Sequence, residues 1–304
     1  MSADGRAPKI LLLGAGGQLG RELARKLART LEPGGMVVTL DRSALDVTDA
    51  SRVRSTLREL RPEVVINAAA YTQVDRAEAE ANRAIAVNAE APGVLAEEAA
   101  RLGALLVHFS TDYVFDGRKG APYEEVDEPN PLNVYGATKL AGENAIRFAH
   151  DRHLILRTAW LYGLHGRNFL RTILGLARAR DELRIVDDQV GSPTWSRWLA
   201  ETTARTIDRA VDHNGLRGTY HVAGGGSTTW YGLARAAIAH RDDGDPPRKS
   251  HGRPCQLVPI STSEYPTPAR RPSYSALSTG RFAAAFSEAI PPWEEQLRRC
   301  LTSP

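Results

Sequence analysis

The chain has 304 residues, of which 42% are hydrophobic and 25% charged, an ordinary balance for a soluble globular protein with a sizeable core. Its formal net charge is only +3, with Lys and Arg scattered among Asp and Glu, which argues against an extended nucleic-acid-binding stripe. Two cysteines, Cys255 and Cys300, are too few for a disulfide scaffold, and the apolar run 10–13 is too short for a secretory or membrane-spanning segment; both observations point to the cytoplasm.

The first half repeats one unit: a short β-rich apolar run, a turn, then a segment with helical spacing. Strands are expected at 9–15, 36–42, 63–70, 104–111 and 153–163. Helices are expected between them: 49–60, opened by the capping acid Asp49; a long Ala-rich helix over 77–103, ended by Gly103; and 133–149. Alternation of this kind means parallel βαβ units, hence an α/β fold with a doubly wound parallel sheet of Rossmann type. The dinucleotide-binding domain is assigned to 1–163, completed by later segments, and a smaller substrate-binding lobe to 164–304. Residues 240–254, rich in Arg, Asp, Gly and Pro, read as a loop or linker.

Directly after the first strand, Gly14, Gly17 and Gly20 give the chain a tight turn, close approach of backbone to a pyrophosphate, and close helix-to-sheet packing. Gln18 and Leu19 open the helix whose N-terminus would face the phosphates. Asp41, at the end of the second strand, is the acid expected on the adenosine ribose, whereas Arg42 beside it suits a 2′-phosphate, so NADH and NADPH both remain open. Asp46 and Val47 lie in the next loop, where the adenine would sit, although Asp46 equally reads as a helix-entry acid. The small residues Ala68, Ala69 and Ala70 end the third strand and allow close approach of the cofactor.

Tyr135 and Lys139 stand four residues apart, on one face of the helix expected there. A phenol is a poor acid at neutral pH, and an adjacent ammonium favours its ionised form. Thr111 closes the fourth strand at the carboxyl edge of the sheet, where its hydroxyl can hold a substrate carbonyl oxygen; Asp112 and Tyr113 follow it into the same site. Trp160 offers an apolar face at the end of the fifth strand, Asn168 and Arg171 open the following helix as candidates for a diphosphate, and His108 reads as a core histidine.

These motifs resemble an extended short-chain dehydrogenase/reductase and, within that class, the dTDP-4-dehydrorhamnose reductase family. The resemblance runs through residues 14–20, 67–75, 110–117, 135–139, 157–163, 188–194 and 271–277. It implies a catalytic set of Thr111, Tyr135 and Lys139, with Lys139 also on the nicotinamide ribose, and a contact between Trp160 and the sugar nucleotide. NADPH or NADH as cofactor, a dTDP-linked 4-keto-6-deoxy sugar as substrate, a homodimer, and Mg²⁺ at a subunit contact belong to the same implication. Antibiotic-pathway members of the family, such as dihydrostreptose synthases, use the same donor. Alternatives on the scaffold are a non-catalytic nucleotide-binding subunit, against which Tyr135, Lys139 and Thr111 speak, and an epimerase or dehydratase.

Overall fold

In the computed structural model, residues 8–30, 35–242 and 255–303 are described. The apolar runs become six parallel strands: β1 (Lys9–Leu13), β2 (Met36–Leu40), β3 (Val64–Asn67), β4 (Leu105–Thr111), β5 (His153–Thr158) and β6 (Gly218–His221), in the order β6-β5-β4-β3-β1-β2. The sixth strand therefore comes from far beyond residue 163 and pairs with β5 in register from Gly218 with Leu154 to His221 with Arg157. The sheet reverses its strand order between β1 and β3, and the carboxyl ends flanking such a switch point form the natural ligand crevice.

Strand side chains alternate between two cores. Ile10 and Leu12 join Val64, Ile66, Leu105 and Val107 on one face, with Leu23 and Leu27 of α1 (Gln18–Thr30) and Leu199 and Ile207 of α6 (Ser196–Ala210). Leu11, Leu13, Val65, Leu106 and Ile155 fill the opposite core with Val53 and Leu57 of α2 (Ala50–Leu60) and Leu95 and Ala99 of α3 (Ala91–Leu102). Both faces are covered, which is why these strands are apolar at nearly every position. Asp49 caps α2 as expected, its side chain accepting from the N–H of Arg52.

The long helix expected over 77–103 is broken. Short helices at Val74–Ala77 and Ala81–Ile85 lead into a π-helical turn, Ala86–Glu90, before α3 begins and ends on Gly103 at φ +67°. Pro92 has no N–H to give the carbonyl of Asn88 one turn back, which permits the wider turn. The freed carbonyl lies where Gly142 of α4 (Val134–Ala149) comes so close that a Cβ at that glycine would sit 2.1 Å from it. Asn88 is thereby turned inward, bonding the N–H and carbonyl of Tyr71 and the hydroxyl of Thr138.

Strand five also stops short of its expected end. β5 closes at Thr158, Trp160 takes a left-handed backbone (φ +42°), and Leu161–Tyr162 pairs with Thr194–Trp195 in a separate two-stranded sheet. The smaller lobe is built by α5 (Phe169–Ala179), α7 (Trp230–Asp242) and the parallel pair Glu182–Val186 with Gln256–Ile260, around Ile173, Leu183, Ile185 and Ala234, whereas the helices Gly280–Phe286 and Trp293–Thr302 give Phe282, Phe286 and Leu297 to the first core of the sheet. Most of the loop expected over 240–254 lies outside the described residues. No described helix is long and apolar enough to cross a membrane.

Candidate active site

Two clefts open along the carboxyl edge of the sheet. The first, about 720 Å³, sits at the β1/β3 switch point and is lined by Gly14, Gly16, Gly17, Arg42, Leu45, Asp46, Val47, Ala68, Ala69, Ala70, Tyr71, Arg83 and Val87. Its floor is backbone. Gly14 has φ +75°, and a Cβ there would lie 2.5 Å from the N of Ala69; a Cβ on Gly20 would lie 2.1 Å from the carbonyl oxygen of Gly14. No side chain fits at either position, so the loop packs main chain against main chain, and with Gly16 and Gly17 also in the lining its open side lets a group approach the backbone closely. A dinucleotide pyrophosphate fits that description, with the N-terminus of α1 directed at it.

The other expected cofactor residues divide by what they touch. Leu19 gives its side chain to the core, so only its backbone N–H is left for a phosphate. Gln18 Oε1 accepts from Asn168 Nδ2 at 2.9 Å, tying the glycine loop to the second lobe. Asp41 lies against Gly16 and caps its own turn, accepting from the N–H and hydroxyl of Ser43 and from the N–H of Ala44, bonds that hold its carboxyl below the usual range. Arg42 pairs with Asp46 at 3.3 Å on the open side of the cleft. Arg83, which sequence reasoning did not single out, lines the same cleft and lies over the Tyr71 ring at 5.7 Å. The diphosphate role weighed for Asn168 and Arg171 is not what their side chains do: Asn168 caps α5 by accepting from the N–H of Arg171, and Arg171 Nη1 bonds the Gly166 carbonyl.

The second cleft, about 620 Å³, is lined by Thr72, Val74, Thr111, Asp112, Tyr113, Tyr135, Trp160, Leu161, Tyr162, Phe169, Trp230 and Leu233. It brings together Thr111, Asp112, Tyr113, Tyr135 and Trp160 from the expected site. Asn133 caps α4 by accepting from the N–H of Gly136, while a Cβ on Gly136 would lie 2.2 Å from the Tyr113 carbonyl; this close contact sets the first turn of α4 against the end of β4. Tyr135 thus stands beside Tyr113, ring centroids 5.9 Å apart and edge to face. Burial of the hydroxyl pushes the Tyr135 phenol up to about 12, with the hydrogen bond to Thr111 acting in the opposite direction. Thr111 Oγ1 donates to Asp112 Oδ1 at 3.0 Å, and Ser275 Oγ donates to Asp112 Oδ2 at 2.5 Å. Burial nevertheless raises Asp112 to about 7, so this carboxyl titrates in the neutral range beside the phenol.

Lys139 does not line the cleft. It is only 1% exposed, and its Nζ donates to the Phe109 carbonyl at 2.6 Å and lies 3.0 Å from His108 Nε2; desolvation brings it down to about 8. The expectation that a lysine charge holds the phenol low is therefore replaced, in the ligand-free protein, by a phenol raised by burial and a lysine turned toward β4. His108 is buried as expected of a core residue, yet it touches Lys139 directly.

Trp160 lines the cleft with a second ring against it. Its ring lies flat on Trp230, centroids 3.5 Å apart at 4°, with Phe169 tilted against Trp230 at 4.6 Å. A Cβ at Gly191 would come within 2.3 Å of the Trp160 ring, so the indole is clamped between that glycine and Trp230. Phe169 and Trp230 were missed, as was Ser275, because each comes from a segment distant in sequence with no short-range spacing that links it to β4 or α4. Among the described residues, no group of three or more His, Cys, Asp or Glu is arranged to hold a metal.

A glycine cradle at the switch point of a parallel sheet, beside a Tyr and Lys on one helix and a Thr at the facing strand end, defines an oxidoreductase of the extended short-chain dehydrogenase/reductase class. Comparison with known proteins takes this further. The family described as RmlD substrate binding domain matches residues 8–303, and the chain belongs to that family. The dTDP-4-dehydrorhamnose reductase of Burkholderia thailandensis is 43% identical over 96% of this chain and 98% of its own length, and that of Streptomyces griseus 41% identical over 95% and 92%. Among solved structures, dTDP-4-dehydrorhamnose reductase from Bacillus anthracis in complex with NADP superposes with a TM-score of 0.87 at 35% identity, covering 98% of this chain and all of that one. UDP-glucose 4-epimerase from Thermus thermophilus, in complex with NAD, shares the fold (TM-score 0.76) at 22% identity, covering 96% of this chain and 97% of that one.

Proposed function

We propose that the protein reduces the C4 ketone of dTDP-4-dehydro-L-rhamnose to the alcohol, using NADPH or NADH. The observation that carries this reading is the placement of Tyr135, with Thr111 and Asp112, in a cleft walled by Trp160, Trp230 and Phe169 and next to the glycine-floored cleft. A bound reduced nicotinamide supplies the hydride. Gly14, Gly17, Gly20 and the Ala68–Ala70 backbone hold the pyrophosphate and ribose side, Asp41 and Arg42 take the adenosine ribose with or without its 2′-phosphate, and Asp46 and Val47 border the adenine.

In the sugar cleft, Thr111 orients the ketone oxygen and Tyr135 gives its proton to the alkoxide that forms there. Lys139, on the same helix as Tyr135, takes the nicotinamide ribose and restores the phenol by turning away from the Phe109 carbonyl that holds it. Asp112 and Tyr113 bound the sugar, and the aromatic wall takes the apolar face of the deoxysugar or base. The reading is of a cytoplasmic enzyme, supported by a chain with only two cysteines, with no nucleic-acid partner. It is also of a homodimer, supported by Phe148 on α4, whose ring is 96% exposed; light scattering in solution reads that mass directly.

The test is product identification. Purified protein, dTDP-4-keto-6-deoxyglucose, its 3,5-epimerase and either reduced cofactor should yield dTDP-L-rhamnose. Tyr135→Phe should lower kcat about 10²- to 10⁴-fold with cofactor affinity kept. No alcohol product with either cofactor, or a Tyr135→Phe variant as fast as the parent, would overturn the assignment.

A further inference from the structure

His108, at the middle of β4, is fully buried and uses both ring nitrogens. Nε2 lies 3.0 Å from Lys139 Nζ, and Nδ1 lies 3.1 Å from Nδ2 of Asn67 at the end of β3. The orientation of the Asn67 amide is fixed by the main chain, because its Oδ1 accepts the N–H of Ala69 at 3.1 Å and a backbone N–H can only donate. Asn67 therefore presents its NH₂ to the ring, Nδ1 accepts, and a neutral imidazole accepting at Nδ1 carries its single proton on Nε2. That proton points at Lys139.

An ammonium has three donors and no acceptor, whereas a neutral amine keeps a lone pair. The chain of bonds closes without conflict only for the amine: His108 Nε2–H donates to Nζ, and Nζ donates to the Phe109 carbonyl. We propose that His108, held in this tautomer by Asn67, is a positioning residue that sets the charge of Lys139, favouring its neutral amine by turning an N–H toward Nζ. This rests on the reductase reading for its consequence in turnover. Charging the lysine reverses the chain: Nε2–H passes its proton to Nζ, Nδ1 takes one from solvent, and the Asn67 amide turns so that Oδ1 accepts from Nδ1. One proton is taken up in all. The Ala69 N–H loses its acceptor in the process, and Ala69 lines the glycine-floored cleft, so the charge on Lys139 and the donor offered to a ligand there change together.

The surroundings agree. Burial drives His108 well below the ordinary imidazole range, so the ring stays neutral, and burial lowers Lys139 against the opposing pull of Glu143 on the same helix. Glu143 is itself occupied by Arg157 from β5, at 2.7 and 2.9 Å, and by Arg147. Tyr135, one turn before Lys139, faces Asp112 and Tyr113 from the turn after β4, while Asp75, on the short helix at 74–77, is held by Arg271. The π-turn and α3 meet α4 through uncharged groups, Asn88 on Thr138 and Gly93 on Ala145.

Two measurements test this. In ligand-free protein labelled with ¹⁵N-histidine, at pH above the value of about 8 to which burial lowers Lys139, the His108 resonances should show Nε2 protonated and Nδ1 bare. In turnover, kcat should fall on an alkaline limb as the Tyr135–Lys139 pair loses its proton. Asn67→Asp keeps the acceptor for Ala69 but replaces the donor facing Nδ1, which moves the ring proton to Nδ1 and leaves Nε2 to accept from an ammonium. That limb should shift upward by about one pH unit or more. His108→Leu removes the opposing donor and should shift it in the same direction by less. A proton on Nδ1 in the ligand-free parent, or a limb unmoved in both variants whatever their rates, overturns the proposal. A parent without activity would overturn the reductase reading instead, and the nitrogen resonances would still decide the tautomer.

Discussion

The two clefts of this molecule are made of different materials. The cofactor cleft is a backbone structure: a glycine loop, the ends of three neighbouring strands and a few small side chains, with atoms of Gly14, Gly20 and Ala69 so close that no Cβ fits between them. The sugar cleft is a side-chain structure, assembled from Thr72, Asp112, Tyr135, Trp160, Phe169 and Trp230 on six separate segments. A backbone site answers to sterics alone, so one methyl group can abolish it. A site of stacked rings fails gradually, because each ring contributes only part of the wall.

That contrast predicts a graded set of effects. Gly20→Val places its Cβ against the Gly14 carbonyl and forces the loop outward, at a cost of about 1–3 kcal/mol typical of overpacking. The dissociation constant for NADPH, read by fluorescence titration, should rise about ten- to a hundredfold, with far-ultraviolet circular dichroism retained and KM for the sugar nucleotide changed much less. Equal losses for both ligands would dissolve the distinction between the clefts.

Trp230→Ala is the mirror experiment. It removes the ring stacked on Trp160, worth about 1 kcal/mol beyond its buried area, so KM for the sugar nucleotide should rise about fivefold while NADPH affinity holds. If the stack instead blocks the base, KM will fall, and the Trp160–Trp230 pair becomes a gate rather than a wall.

The smallest effect concerns the layer beneath the cofactor cleft. Glu98 on α3 is buried and receives Arg58 and Arg54 of α2 and Arg101, which hold its carboxyl down to about 2 from an ordinary 4.5. Because the folded-state value is depressed, the stabilisation is fully present above pH 4.5 and is lost as pH falls from there toward 2. Urea midpoints of the parent should drop across that window, and Glu98→Gln should show a shallower drop from a lower starting stability. Parallel pH dependences for the two proteins would remove Glu98 from the account.

The same difference in materials explains what could be read from the sequence. Gly14, Gly17, Gly20 and Ala68 to Ala70 were legible because a backbone cradle needs small residues at fixed spacing directly after a strand. Thr111, Tyr135 and Lys139 were legible from a strand end and a four-residue helical spacing, strengthened by family resemblance. Trp230 and Ser275 were not, since their neighbours are set by how the second lobe folds over the sheet, and no local period encodes that. The break in the helix over 77–103 was signalled by Pro92, yet its consequence, Asn88 turned toward Tyr71 and Thr138, depended on Gly142 arriving from another helix. Likewise, Lys139 was expected to share one site with Tyr135, but its side chain turns to His108 and Phe109, partners that emerged only with the packing of α4 on β4.

The central claim is that the two clefts meet at one point, with the sugar C4 beside the nicotinamide and beneath Tyr135. Turnover of dTDP-4-dehydro-L-rhamnose with NADPH deuterated on both faces at C4 of the nicotinamide tests it most directly, read by mass spectrometry and proton NMR of the product. The account predicts one deuterium, carried on C4 of the 6-deoxysugar, for each NADPH oxidised. Product without deuterium, or with deuterium at any other carbon, would contradict it.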